Sequence, residues 1–338
     1  MTVVESRQPE SSSISALPLR TAGGWSSTNG IDTNCVPWRL WEKAKKHFWD
    51  PADLDYSTDA AQWAAMSDAQ QLSLAGLARG FMVGEEGVTL DILPLAMAMA
   101  EERRLEEVIF LTSFTLEEAK HIDFFRRWFT AVGADPEDIA RRQGAQAVAM
   151  GRPDFDPNRS TGLFESVLPR VMRRLLVDRS PEAVLDASVT YNQFIEACLA
   201  ISGYTVWGQM FESFGVLPAL QQGLRHIRAD EGRHITYGTF LCQRVLASNP
   251  ELLPFARNRI IELRDNYYAA TGNYPGQTPA VIGGTAGDEF QWNGNFADLV
   301  DEQVAKRIQI LERAVHMSEA EMIAGAEAEE VQHQLLAS

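Results

Sequence analysis

Two Glu-x-x-His motifs constrain this chain more than any other feature: Glu118-Ala119-Lys120-His121 and Glu231-Gly232-Arg233-His234. On an α-helix, positions i and i+3 share a face about one turn apart, so a carboxylate and an imidazole at that spacing can grip one metal ion. Two helices carrying the motif, with two more each supplying a glutamate, build a four-helix bundle around a two-metal carboxylate centre. Glu85 stands 33 residues before Glu118, and Glu196 stands 35 residues before Glu231. The order Glu, Glu-x-x-His therefore occurs twice with nearly equal spacing.

That spacing has a geometric meaning. Two antiparallel helices joined by a short turn bring residues equally distant from the turn to the same height. For Glu196 and Glu231 the midpoint falls in Ser213-Phe214-Gly215-Val216-Leu217-Pro218, a glycine-then-proline helix stop. For Glu85 and Glu118 it falls near residue 101, where the turn rests on spacing alone; Pro94 should kink or end the first helix. A third match, Glu330-Val331-Gln332-His333, sits in a polar tail, and the positions 33 and 35 residues upstream are Ala297 and Asn295. It reads as a solvated coincidence. Asp230, directly before Glu231, reads as an outer carboxylate that orients His121 across the bundle.

Composition bounds the partners. With 30 basic and 46 acidic residues the net charge is −16, which argues against a nucleic-acid partner and against an anionic membrane surface. The 338 residues allow one large domain or two small ones. Cys35, Cys198 and Cys242 are widely spaced and form no Cys-x-x-Cys pair, so they read as small buried or half-buried residues of a reducing, cytoplasmic compartment. The N-terminus has no apolar leader, and the longest apolar run, Leu93 to Ala100, is too short to span a bilayer.

Along the chain, residues 1–30, rich in Ser, Thr and Gly, read as a flexible arm. Residues 31–330 read as one helical domain with its metal-binding core at about 70–245, and 331–338 as a polar tail. Trp38, Trp41, Phe48, Trp49, Tyr56 and Trp63 read as packing onto the bundle or, more sharply, as an aromatic relay near the metals. Ser67 caps a first long helix through Glu85 and Val88, and a second covers about 104–132. Residues 133–163 are loop-rich, with a short helix expected near 137–149. A third helix starts at Pro181 after Ser180, and a fourth runs from about Pro218 to Leu246. A helix over 251–269, a loop over 271–295 and a last amphipathic helix over about 296–330 complete an all-α fold: a ferritin-like four-helix bundle with additional helices.

The set Gly84-Glu85-Glu86-Gly87-Val88, Glu118-x-x-His121, Tyr191-x4-Glu196 and Asp230-Glu231-x-x-His234 resembles the ferritin-like oxidases related to ribonucleotide reductase small subunits. It is most similar to their ligand-binding oxidase branch, over about residues 70–245. The first ligand is Glu85 where many radical-generating subunits have Asp. Phe125 stands four residues past His121, where those subunits carry the radical Tyr. Val88 and Tyr191 occupy the positions that the branch joins by an ether cross-link. The tail after Trp292 lacks the Tyr or Trp that a reductase subunit needs. The 78 residues from Glu118 to Glu196 are more than the branch leads one to expect, the excess falling in 133–163.

The resemblance implies a mixed Mn/Fe centre, with di-iron as the alternative. Glu85, Glu118 and His121 would hold Mn, and Glu196, Glu231 and His234 would hold Fe, with Glu118 and Glu231 bridging. It implies an oxidase that activates O2 and abstracts hydrogen from a C–H bond, a long-chain fatty-acid-like ligand in an apolar channel lined by the Phe, Leu and Met of the first and third bundle helices, and a homodimer. The competing readings are a ribonucleotide reductase small subunit lacking the radical tyrosine, an arylamine oxygenase or fatty-aldehyde enzyme on the same bundle, and a ferritin-like metal store.

Overall fold

The computed structural model describes residues 30–149, 162–211, 216–277 and 294–328, the last span without 319 and 327. The arm at 1–29, the polar tail, the third Glu-x-x-His and the Ser213-Phe214-Gly215 stop lie outside the described residues.

Helix α1 (Val36–Lys46) and α2 (Ser57–Ala65) precede the bundle. The first bundle helix, α3 (Asp68–Asp91), starts at a capping box. Ser67 Oγ accepts from the Gln70 backbone N–H at 3.3 Å, and the Gln70 side chain accepts from the Ser67 N–H at 2.9 Å. Pro94 interrupts the rod, which resumes as α4 (Leu93–Glu101). A turn with Arg103 at φ 61° leads into α5 (Leu105–Val132), which Gly133 closes at φ 70°. Helix α6 (Pro136–Ala149) lies along α3, so the first half of the 133–163 excursion is ordered helix. A π-helical turn (Leu163–Val167) runs into α7 (Leu168–Arg174).

The third rod departs from the continuous α-helix expected. It is α8 (Pro181–Ser188), a π-helix (Val189–Ala200) and α9 (Ile201–Phe211). Ser180 caps α8 through the Ala183 N–H at 3.3 Å. The fourth rod, α10 (Pro218–Ser248), follows Leu217, which adopts φ 54°. Two outer helices, α11 (Leu253–Thr271) and α12 (Phe296–Ala314), pack on the π-helix. The last helix was expected to run from 296 to 330, but it breaks at 315–318. Ser318 and Glu321 form a second capping box there, Ser318 N to Glu321 Oε2 at 2.7 Å and Glu321 N to Ser318 Oγ at 3.4 Å, and helix restarts over 320–326.

The buried apolar residues separate into two cores along the bundle axis. One gathers Val88, Ile92, Phe110, Phe114, Tyr191, Phe194, Tyr237 and Leu241. The other gathers Leu74, Ala78, Phe124, Phe125, Trp128, Ile201, Leu224 and Ile227. Glu85, Glu118, His121, Glu196, Glu231 and His234 occupy the layer between them, because each rod passes from one core to the other through that height.

Candidate metal centre

The four rods bring the six side chains together. Glu85, Glu118, His121 and Glu231 each offer a ligand atom within 4.8 Å of the others, and so do Glu118, Glu196, Glu231 and His234. Glu118 and Glu231 belong to both groups. All six are buried, the most open being Glu85 at 7 %. Such a gathering of carboxylates in a dry interior is strongly unfavourable unless cations or protons compensate it.

Both imidazoles turn the same atom inward. His121 Nδ1 lies 3.2 Å from Glu85 Oε2 and 3.5 Å from Glu231 Oε1. His234 Nδ1 lies 3.1 Å from Glu118 Oε1 and 3.7 Å from Glu231 Oε1. His234 Nδ1, Glu118 Oε2 and Glu196 Oε1 are buried yet make no properly directed hydrogen bond among the described residues. Buried polar atoms are ordinarily paired, so these three converging lone-pair donors fit a cation.

The outer nitrogens are held by a crossed pair of acids. Asp230 Oδ2, on α10, meets His121 Nε2 of α5 at 3.1 Å. Glu117 Oε2, on α5, meets His234 Nε2 of α10 at 2.9 Å. Arg233 joins the two acids, contacting Glu117 Oε1 at 2.5 Å and Asp230 Oδ1, while Lys120 Nζ is 2.8 Å from Asp230 Oδ2. Asp230 is the outer acid expected from the sequence; Glu117 is its unexpected counterpart. The signal was available: each motif is an acid, Glu, any residue, a base, His, in Glu117-Glu118-Ala119-Lys120-His121 and Asp230-Glu231-Gly232-Arg233-His234. Trp49 extends this network, its Nε1–H donating to Asp230 Oδ2 at 2.8 Å, and it alone of the six N-terminal aromatics singled out above has a hydrogen bond to the network among the described contacts.

Electrostatics follow from burial. Burial pushes the Glu118 carboxyl up to about 7, with Glu85 nearby adding to it. Burial and mutual repulsion raise Glu196, which faces Glu231, and Glu231, which faces Glu118. Burial opposes the charge on His121, but Glu85 and the bonds to Asp230 and Glu85 outweigh it and carry the imidazole up to about 10. Asp230, despite its burial, is held below the usual carboxylate range by the His121 hydrogen bond and the Arg233 and Lys120 cations. Without a metal, the cluster thus balances itself by retaining protons on imidazoles and carboxyls.

The π-helix shapes the third wall. Its i→i+5 bonding brings residues five apart onto one face, whereas an α-helix at 3.6 residues per turn separates them. Tyr191 and Glu196 therefore both face the cluster: Tyr191 Oη donates to Glu118 Oε1 at 2.9 Å, and Asn192 Nδ2 donates to Glu196 Oε2 at 2.9 Å. Phe125, buried beside Phe81 at 6.4 Å between ring centroids, offers no hydroxyl.

A cavity of about 300 Å³ opens from the cluster. Glu85, Glu118, Glu196, Glu231, Val88 and Tyr191 form its polar end. Gly76, Gly80 and Gly84, four apart on α3, form one side with Leu77 and Phe81, and Ile195, Leu199 and Gly203 form another. Phe164, Tyr267 and Phe296 complete the wall from outside the bundle, and among the described residues no methionine lines it, unlike the channel expected. Phe164 rests against α3 where Gly84 and Gly87 leave room, a Cβ at Gly87 falling 3.0 Å from its ring.

A helical bundle that buries two overlapping carboxylate–imidazole groups at the level of its four rods defines the class of ferritin-like carboxylate proteins. No protein-family model matches the chain. Solved structures do. An R2-like ligand-binding oxidase from Sulfolobus acidocaldarius is 32% identical with a TM-score of 0.69, over 88% of this chain and 97% of that one. An R2-like ligand-binding oxidase with an aerobically reconstituted Mn/Fe cofactor is 30% identical, TM-score 0.63, over 95% and 99%. A glycine-to-phenylalanine variant with an anaerobically reconstituted Mn/Fe cofactor is 31% identical, TM-score 0.67, over 87% and 98%. The chain belongs to the R2-like ligand-binding oxidases, and it is an oxidoreductase of that family.

Proposed function

We propose that Glu85, Glu118 and His121 hold one metal and Glu196, Glu231 and His234 the other, Glu118 and Glu231 serving both. The observation that carries this is the overlap of the two groups through those two glutamates. Carboxylate and imidazole donors without thiolate suit Mn and Fe, the pair carried by the similar structures. When bound, the pair supplies O2 activation for two-electron oxidation of a C–H bond.

The chain's own residues set the conditions for that chemistry. Asp230 and Glu117 fix the imidazoles with Nδ1 inward and Nε2 outward. The cavity takes a long-chain fatty-acid-like ligand, its carboxylate at the polar end and its tail along the glycine-lined wall. Val88 and Tyr191 line the same end of that cavity, with the Tyr191 proton already directed at Glu118. Their ether cross-link forms a Cβ–O bond as the Val88 Cβ–H and the Tyr191 O–H are lost, two hydrogens in all, with O2 as the oxidant. A homodimer is consistent with Leu90, Leu93 and Met97, exposed at one edge where α3 passes into α4. A reducing cytoplasm suits the three unpaired thiols.

The test is anaerobic loading with Mn(II) and Fe(II), metal analysis, then exposure to air and peptide mapping. Two metals per chain and a joined Val88–Tyr191 peptide lighter by two hydrogens are expected. An unlinked pair on a metal-loaded chain refutes the cross-link and favours the reductase-subunit alternative. A chain that binds fewer than two metals refutes the centre itself.

A further inference from the structure

One turn beyond His234 on α10 stands a second phenol, Tyr237, fully buried and donating its hydroxyl proton to Glu107 Oε2 at 2.9 Å. A file of rings leads to it from the metal centre. Phe114 lies flat on the His234 imidazole, 3.6 Å between centroids and 10° between planes. Phe110 meets Phe114 edge-on at 5.9 Å, and Tyr237 lies 5.0 Å from Phe110. Glu107 is itself only 3 % exposed. Its other oxygen is 3.3 Å from Arg244 Nε and 3.6 Å from Arg104 Nη1, and Arg244 continues to Glu102 toward the surface.

A phenol oxidised in a dry interior must shed its proton along with the electron, because an isolated positive charge there is costly. The proton needs an acceptor already within hydrogen-bond reach. Tyr191 gives its proton to Glu118, an oxygen of the metal cluster. Tyr204 has a buried hydroxyl with no hydrogen-bond partner among the described residues. Tyr56 and Tyr268 donate to backbone carbonyls, which take up no proton. Tyr237 has a carboxylate of its own, outside the cluster. Burial raises that carboxyl's hold on a proton, although Arg244 and Arg104 moderate it.

We propose that Tyr237, with Glu107 as its proton acceptor, is a redox site that drains a one-electron oxidising equivalent from the metal centre when the cavity holds no oxidisable substrate. The inference rests on the two-metal reading above. In the step, the Tyr237 O–H bond breaks. Its electron passes to the metal pair oxidised by O2, which is reduced by one. Its proton passes to Glu107 Oε2, leaving a neutral phenoxyl radical. One electron from a small reductant such as ascorbate, with the proton returning from Glu107, restores the phenol.

The experiment uses the full chain, loaded with Mn(II) and Fe(II) and assayed for both metals. The protein is cycled once through O2 and ascorbate, mixed again with O2 without substrate, and freeze-quenched for EPR. A tyrosyl radical is expected, with hyperfine structure that changes on ring-deuterated tyrosine. Tyr237→Phe loses it. Glu107→Gln, which keeps the packing but cannot take up the proton, loses most of it while metal content and O2 uptake stay as in the parent. Peptide mapping after repeated O2 exposure finds oxidation products at Tyr237. An undiminished signal in Tyr237→Phe overturns the proposal, as does a metal-loaded, O2-consuming parent with neither radical nor Tyr237 oxidation. A chain without two metals overturns the metal reading and this one together, and the metal assay distinguishes the cases.

Discussion

Glu117→Gln isolates what one crossed carboxylate contributes. Glu117 is 2 % exposed and accepts from two donors at once, His234 Nε2 at 2.9 Å and Arg233 Nη2 at 2.5 Å. A glutamine has one acceptor oxygen, and its NH2 must face the other donor. Whichever way the amide turns, Arg233 keeps Asp230 while His234 loses its carboxylate and faces either the NH2 or a neutral oxygen. One buried donor left without an acceptor costs about 1–3 kcal/mol of stability. Loss of an outer carboxylate behind a ligand histidine lowers metal affinity about 10–100-fold, which is roughly 1.4–2.8 kcal/mol of binding. That loss should concern the ion held by His234 alone, since His121 retains Asp230. Anaerobic calorimetric titration with Mn(II) and with Fe(II) should show one step unchanged and one weakened, with metal content after desalting falling toward one per chain. Asp230→Asn should weaken the opposite step. If Glu117→Gln weakens both steps alike, or neither, the crossed pairing is not what orients the imidazoles.

Two further outcomes follow from the packing and the charges. Gly238→Ala places a Cβ 2.0 Å from Asn192 Cβ, an atom too near its own backbone to swing aside; we expect about 1–3 kcal/mol of lost stability by denaturant titration, and an unchanged midpoint would show that α10 and the π-helix are not tightly apposed. Glu118, raised by burial to about 7, makes the folded metal-free chain bind more protons than the unfolded one from the ordinary carboxyl range up to that value. Stability of the metal-free protein should therefore fall as pH rises through that window, and the thermal shift on adding metal should grow over the same range, since metal replaces protons. A metal-free melting temperature that climbs across that window would contradict the assigned protonation.

The helices and their alignment were legible in the chain because both are local. Ser67, Ser180, Pro94 and Gly133 mark starts, a break and a stop through backbone chemistry that needs no tertiary partner. The paired spacing of Glu85 with Glu118 and of Glu196 with Glu231 brings four carboxylates to one height through helix rise alone. The break of the last helix is also local, a Ser-x-x-Glu capping box in Ser318-Glu319-Ala320-Glu321 that competes with the amphipathic pattern running through it.

Other features depend on residues far apart in sequence. The repeated motif marks Glu117 as the counterpart of Asp230, but its partners His234 and Arg233 come against it only when α10 packs on α5, across 117 and 116 positions. The π-helix saves no local energy, and it exists where Gly238 lets α10 approach Asn192 and where Tyr191 and Glu196 must share a face. The cavity wall draws Phe164, Tyr267 and Phe296 from three separate segments, which no periodicity within a single helix could announce. The sequence alone determined which side chains could converge, because helical spacing is an intrinsic property of the backbone. How the outer groups are wired to one another, and what shape of space the ligands face, was decided only when distant segments packed, because burial and hydrogen bonding are properties of the assembled interior.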